Sequence, residues 1–103
     1  MNAPPAVAEV LADKVAGLTP QRIPASVRAR AEELLIDVVG LCVAARRTDY
    51  IRALIAAADQ GGPCTAIGHA TTFGAENAAL VNGAAVHGED FDDTFEGGPV
   101  HSS

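Results

Sequence analysis

Five acids crowd the segment from Glu89 to Glu96: Glu89, Asp90, Asp92, Asp93 and Glu96. His87 precedes them and His101 follows, with Gly97-Gly98-Pro99 between the acids and His101. A carboxylate beside an imidazole is a natural proton-exchanging pair. The acid can hold the ring tautomer or take a proton itself. If the helix that carries His87 persists through Thr94, then Asp90, Asp93 and Thr94 share one face, because residues three and four apart are helical neighbours. The Gly-Gly-Pro turn can fold the chain back and bring His101 to the same acids. Thr94 can then donate a hydrogen bond to a substrate oxygen. The spacing leaves other readings open. A charge run is commonly a solvated face, here anchored by Phe91 and Phe95. Asp90-x-Asp92 opens like a calcium loop, but Phe95 stands where that loop requires Gly, so the pattern fails. His87, Asp90 and His101 could also ligate a transition metal, although their spacing fits no strong zinc pattern.

The elements that must position these residues read as helices. The chain has 103 residues, 49% hydrophobic and 4% aromatic, which excludes a β-sandwich or barrel and favours an all-α fold. Val7, Leu11, Val15 and Leu18 mark a helix over 6–16, stopped by Gly17. Pro24 opens a helix over about 24–46, with Val27, Ala31, Leu34, Val38, Leu41 and Ala45 on one face. From Leu34 to Ala45 that helix is apolar almost all round, broken by Asp37, which predicts burial in a larger body and a buried, hydrogen-bonded Asp37. Thr48 or Asp49 caps a third helix with the stripe Ile51, Leu54, Ile55 and Ala58, ended by Gly61-Gly62-Pro63. Cys64 to Gly68 reads as one short extended segment and Ala70 to Gly74 as loop. A fourth helix runs from Ala75 to about Gly88. Its Ala and Gly content predicts close backbone packing. Gly83 and Gly88 each cost roughly 1 kcal/mol of helix propensity and so call for a packing or functional return. Asn82 within it is expected to bond a neighbouring backbone or to position the site. His87 reads as a satisfied core histidine or as a group that orients Asp90. His101-Ser102-Ser103 reads as the cap of a further helix. That ending and the all-apolar helix together predict a piece of a larger structure.

Composition removes several function classes. The net charge is −6, and every one of the seven Lys and Arg lies at or before Arg52. The second half therefore has no basic footprint for nucleic acid or for an anionic membrane surface. No apolar run reaches the roughly 20 residues of a membrane span, and the first residues lack a signal-peptide pattern, so the expectation is a cytoplasmic protein. Cys42 reads as core, and Cys64 as an inert thiol without a basic neighbour. His69, in a Gly- and Thr-rich loop, reads as a polar side chain turned to solvent.

The run from Phe73 through Thr94, followed by His101, resembles the N-terminal signature of the MmgE/PrpD family, A-x-x-N-G-x-x-x-H-x-x-D-[FY]-D-D-T and then a His. Leu35-Ile36-Asp37-Val38-Val39-Gly40 is similar to the family's L-x-D-x-x-G helix. One departure is Ser102, where many relatives have Pro. The resemblance implies that residues 1–103 are the N-terminal portion of a large helical domain with four or more helices, in proteins several times longer that also carry a lid domain and pair as homodimers. It includes 2-methylcitrate dehydratase, cis-aconitate decarboxylase and iminodisuccinate epimerase. It thus implies a lyase or isomerase that needs no cofactor and no metal and acts on small di- or tricarboxylates. Asp90 and His101 match catalytic positions and Thr94 a substrate-binding one. Lys residues and a second His from later in such chains complete the site, so the isolated 103 residues are expected to be inactive. The alternative class is a non-catalytic remnant or helical interaction module, with or without a bound divalent cation.

Overall fold

The computed structural model describes residues 4–101. Four helices and a two-stranded antiparallel sheet follow in the order α1 (Val7–Ala16), α2 (Ala25–Ala45), α3 (Asp49–Ala57), β1 (Gln60–Thr65), β2 (Thr72–Phe73) and α4 (Ala75–His87). The mostly helical expectation holds. None of these helices is long and apolar enough to cross a membrane. The expected cap at Ser102-Ser103 lies outside the described residues.

The chain divides into two compact units at Ala31/Glu32, within α2. In the first, α1 starts where the Glu9 carboxylate accepts the backbone N–H of Ala6 at 2.9 Å, which satisfies one donor at the helix entry. It ends as the Gly17 N–H bonds the Asp13 carbonyl. Arg22, in the 3-10 turn Pro20–Arg22, donates to the Gly17 carbonyl at 2.8 Å. The α1 stripe forms as expected, yet Val7, Leu11 and Val15 stay exposed. The carbonyl of Pro24 accepts from Val27 and Arg28 and so starts α2 one residue later than the sequence suggested.

The core lies in the second unit. It joins Cys42 and Ala45 of α2, Ile51 of α3, Ala66, Phe73 of β2, and Ala78, Val81, Ala85 and Val86 of α4. Thr48 precedes α3 in extended conformation. Its hydroxyl donates back to the Ala45 carbonyl rather than capping forward. Cys42 is fully buried, as expected, and burial pushes its thiol up despite backbone hydrogen bonding.

The extended segment differs from expectation. The strand spans residues 60–65, earlier than the expected 64–68, so Gly61-Gly62-Pro63 lies inside β1, and Thr72–Phe73, expected as loop, pairs with it. Both Gln60 and Cys64 register with Phe73, so Gly61-Gly62-Pro63 bulges from the ladder. Gly61 takes φ +91°, and a Cβ on Gly62 would run into the Phe73 carbonyl. Gly61-Gly62 thus does more than stop the preceding helix: it lets the chain pass close over Phe73.

The exposed side of α2 is a second difference. Leu35, Ile36, Val39 and Val43 are all exposed. Asp37 is exposed as well, because among the described residues that side of the helix has no covering element; the buried carboxylate expected there is not found.

Candidate active site

Helix α4 delivers the site. Asn82 secures it to the preceding loop: its amide accepts the Ile67 N–H at 2.8 Å and donates to the Thr65 carbonyl at 3.0 Å. The side chain thus ties the end of β1 to the middle of α4, the backbone-bonding role expected of it. Further along, Gly88 lies under Tyr50. A Cβ there would sit 2.5 Å from the Tyr50 hydroxyl, which in turn donates to Glu89 Oε1 at 3.2 Å. This is the packing return expected for Gly88. No such neighbour meets Gly83 among the described residues.

The helix does not continue through Thr94. It ends at His87, and Asp90 takes φ +57°, the left-handed region that Asp tolerates better than most side chains. The Asp90 N–H closes this turn on the His87 carbonyl at 2.9 Å. Asp90, Asp93 and Thr94 therefore do not share a helical face. The turn instead redirects the chain so that Asp92 comes back against His87.

The Gly-Gly-Pro turn behaves as expected. Phe95 N–H bonds the Val100 carbonyl at 2.8 Å, and Thr94 and His101 face each other in an antiparallel bridge. His101 thereby reaches the acids. Its Nε2 lies 3.7 Å from Asp90 Oδ1, and its Nδ1 lies 3.0 Å from Asp92 Oδ2. The first distance is within ion-pair reach and beyond a direct hydrogen bond. The second is short, but the geometry is not aligned for a hydrogen bond, so it is a close polar contact. Thr94 is placed by its backbone opposite His101, and the residue is exposed.

The residue that sequence reasoning missed is Asp92. Its side chain is 2% exposed, against 79% for Asp90. Both Asp92 oxygens lie near His87 Nδ1, at 3.1 and 3.2 Å. Burial pushes the Asp92 carboxyl up. The His87 hydrogen bond, backbone hydrogen bonding, and the charges of His101 and His87 outweigh that and hold it below the ordinary carboxylate value. His87 is thus neither a core histidine nor a partner of Asp90. It is more than half exposed and bonds Asp92, and its ring meets that of His101 edge to face with centroids 4.3 Å apart. The sequence signal for this was His87-x4-Asp92, which is informative only once the helix is known to stop between them.

One donor atom from each of His87, Asp90, Asp92 and His101 lies within 4.8 Å of the others, so these four are the residues that could gather around a divalent cation. The direct His87–Asp92 hydrogen bond already occupies two of the donors. Beside the cluster, a pocket of about 280 Å³ is lined by Leu41, Ala45, Thr48, Ala85, Glu89 and Phe91.

Comparison with known proteins agrees with the signature. The MmgE/PrpD N-terminal domain matches residues 9–103. A cis-aconitate decarboxylase-like protein of Aspergillus oryzae is 30% identical over 96 residues, which cover 90% of this chain and 20% of that protein. The chain therefore spans about a fifth of the length of this relative. No solved structure matches. With the domain matched from Glu9 onward and the signature residues gathered at the end of α4, the chain belongs to the MmgE/PrpD family through its N-terminal domain.

Proposed function

We propose that this chain is the N-terminal part of a lyase or isomerase that acts on small di- or tricarboxylates by general acid–base catalysis, without a cofactor. The observation that carries the reading is the approach of His101 Nε2 to Asp90 Oδ1 across the 94–101 hairpin. At 3.7 Å the two groups stand far enough apart to share a bridging oxygen or to meet after a small side-chain shift. Asp90 is the more exposed of the pair, so it is open to substrate. Thr94, on the strand opposite His101, supplies a hydroxyl to a substrate oxygen. The relative's name, a cis-aconitate decarboxylase-like protein, supports the carboxylate class. Dehydration, decarboxylation and epimerisation all need a proton moved at or beside a carbon that bears a carboxylate, and an imidazole–carboxylate pair suits each. In full-length form we expect a homodimer, as the family resemblance implies.

The test is kinetic and uses the full-length protein. General acid–base groups contribute roughly 10²–10⁴-fold, so Asp90→Asn and His101→Gln should each lower turnover by about that much with the fold intact. Glu89→Gln keeps an acceptor for Tyr50 and should change turnover less than about threefold, which is about 0.65 kcal/mol. Chelation should leave activity unchanged. The purified 103-residue chain should show no turnover, because its second half offers no Lys or Arg to hold a polyanion. Wild-type rates in Asp90→Asn and His101→Gln, loss of activity on chelation, or turnover by the 103-residue chain would refute the proposal.

A further inference from the structure

We propose that Asp92, braced by His87, is a positioning residue that sets the ring orientation and tautomer of His101, holding its Nδ1 so that Nε2 is the nitrogen turned toward Asp90. The inference deepens the acid–base reading and rests on it.

Three observations carry it. Asp92 is the buried carboxylate of the cluster, with its side chain 2% exposed, so it is poorly placed to touch substrate and well placed to hold a neighbour. Its two oxygens serve two rings: His87 Nδ1 lies 3.1 Å from Oδ1, and His101 Nδ1 lies 3.0 Å from Oδ2. The two ends of the His101 ring then face different acids, Nδ1 the buried Asp92 and Nε2 the exposed Asp90. A neutral imidazole carries one N–H. Both ring nitrogens face a carboxyl group, but only Asp92 Oδ2, at 3.0 Å, lies within hydrogen-bond distance, while Asp90 Oδ1 lies beyond it at 3.7 Å; an ionised carboxylate can only accept, so Nδ1 is the nitrogen that keeps the proton. Nε2 is left bare to accept a proton, and it returns that proton as an acid later in the cycle. That proton comes from a substrate C–H or O–H, which breaks as Nε2–H forms and leaves its electron pair on the substrate; Asp92 itself makes and breaks no bond and stays ionised throughout. The imperfect alignment at His101 Nδ1 is corrected by a small rotation about χ2, which is a broad torsion for His.

His87 gives Asp92 its rigidity. Its Nδ1–H is shared between both carboxylate oxygens, which fixes the carboxylate plane. The edge-to-face contact of the two rings limits how far His101 can turn. A base oriented by a third, buried group is the arrangement that makes a His nitrogen reliably available, and exchanging that carboxylate for an amide disturbs the tautomer more than the fold.

The experiment is nitrogen-15 NMR of the histidine rings in the full-length protein at a pH where His101 is neutral, together with steady-state kinetics. In the wild type, His101 should be protonated on Nδ1. Asp92→Asn is isosteric, and its amide can donate to Nδ1, so the proton should move to Nε2 in a large share of molecules. Turnover should fall about 10²-fold or more while KM stays within about threefold. His87→Ala, which leaves Asp92 in place but unbraced, should give a mixed tautomer population and a smaller loss of turnover. If Asp92→Asn fails to fold, this second variant alone decides the matter. A wild-type His101 protonated on Nε2, or a His101 tautomer unchanged in every folded variant, would overturn the proposal. A changed tautomer with full turnover would instead refute the acid–base role of His101.

Discussion

Asn82 offers the sharpest test of how α4 is held. Replacing it with Ala removes two hydrogen bonds at once, from the Ile67 N–H and to the Thr65 carbonyl. The two are not equal. The Thr65 carbonyl sits in an exposed setting and can turn to water, so its loss costs at the low end, about 0.5 kcal/mol. The Ile67 N–H is partly buried, and its loss leaves a donor with restricted access to water, at about 1–1.5 kcal/mol. The expected destabilisation is therefore roughly 1.5–2 kcal/mol, which lowers the midpoint of thermal unfolding by about 6–15 °C for a domain of this size. Urea denaturation gives the energy, and amide exchange gives the location: the Ile67 amide should lose protection while amides in the interior of α4 keep theirs. Asn82→Asp separates the two bonds, because a carboxylate still accepts from Ile67 but cannot donate to Thr65. Its Ile67 amide should stay protected. A cost below about 0.5 kcal/mol in Asn82→Ala with an unchanged Ile67 exchange rate would refute the account.

Gly62→Ala should destabilise by about 1–3 kcal/mol or more in the same denaturation assay, because the added methyl meets backbone at Phe73 and Gly74, which cannot give way as a side chain can. Gly83→Ala should instead stabilise this chain by up to roughly 1 kcal/mol, since nothing lies within 4 Å of the new methyl group; a loss of stability would show that the position is covered. Asp92, with its folded value held below the ordinary carboxylate value, stabilises the fold when ionised. That contribution is fully present above about pH 4 and is lost as the pH falls through the lower folded value, so acid titration of Asp92→Asn should be flatter there than that of the wild type. The isolated chain should self-associate and bind a hydrophobic dye through Leu35, Ile36, Val39 and Val43. Light scattering on a double Leu35→Gln, Ile36→Gln variant should show less association, and a dye-silent wild-type monomer at high concentration would contradict the reading.

Periodicity located α1, α2 and α3 because each has a stripe of apolar residues at helical spacing, α4 was legible in its Ala-rich composition, and local signals set the ends: Pro24 before α2, Thr48 before α3, Gly88 after α4. The sheet was misplaced because its signal is not periodic. Gln60-Gly61-Gly62-Pro63 reads as a breaker, and only the proximity of Phe73 in the fold turns that breaker into a bulged strand. The site was legible in composition and in its turn: Asp90 and His101 do meet, and Gly97-Gly98-Pro99 does return the chain. The geometry was not legible. Helical counting from His87 is valid only while φ stays negative, and the left-handed Asp90 breaks the count. Every residue after it changes face, which is why Asp92 and not Asp90 becomes the partner of His87.

That single left-handed residue also separates the two acids by environment. Asp90, at the corner of the turn, is left in solvent, while Asp92, two residues on, is carried under the rings of His87 and His101. Had the helix run on, both carboxylates would have projected from an acidic helix face with comparable exposure, and neither would have been distinguished as the one that holds a ring. A division of labour between paired carboxylates depends on such a difference in environment. The same contrast constrains substrate binding. Two carboxylates face two imidazoles in the cluster, and the same segment of sequence carries Glu89, Asp93 and Glu96 but no Lys or Arg. Two like charges 4 Å apart repel by about 1 kcal/mol in water and about 4 kcal/mol near a protein surface, so on the proposed function a polycarboxylate brought to the exposed Asp90 would meet a penalty of roughly 1–4 kcal/mol, which a protonated His87 or His101 would lessen. On the proposed function, the geometry at the end of α4 would supply proton transfer and its orientation. Holding an anionic substrate there would then fall to cationic groups outside residues 53–103; in the Aspergillus oryzae relative the matched region is a fifth of the length.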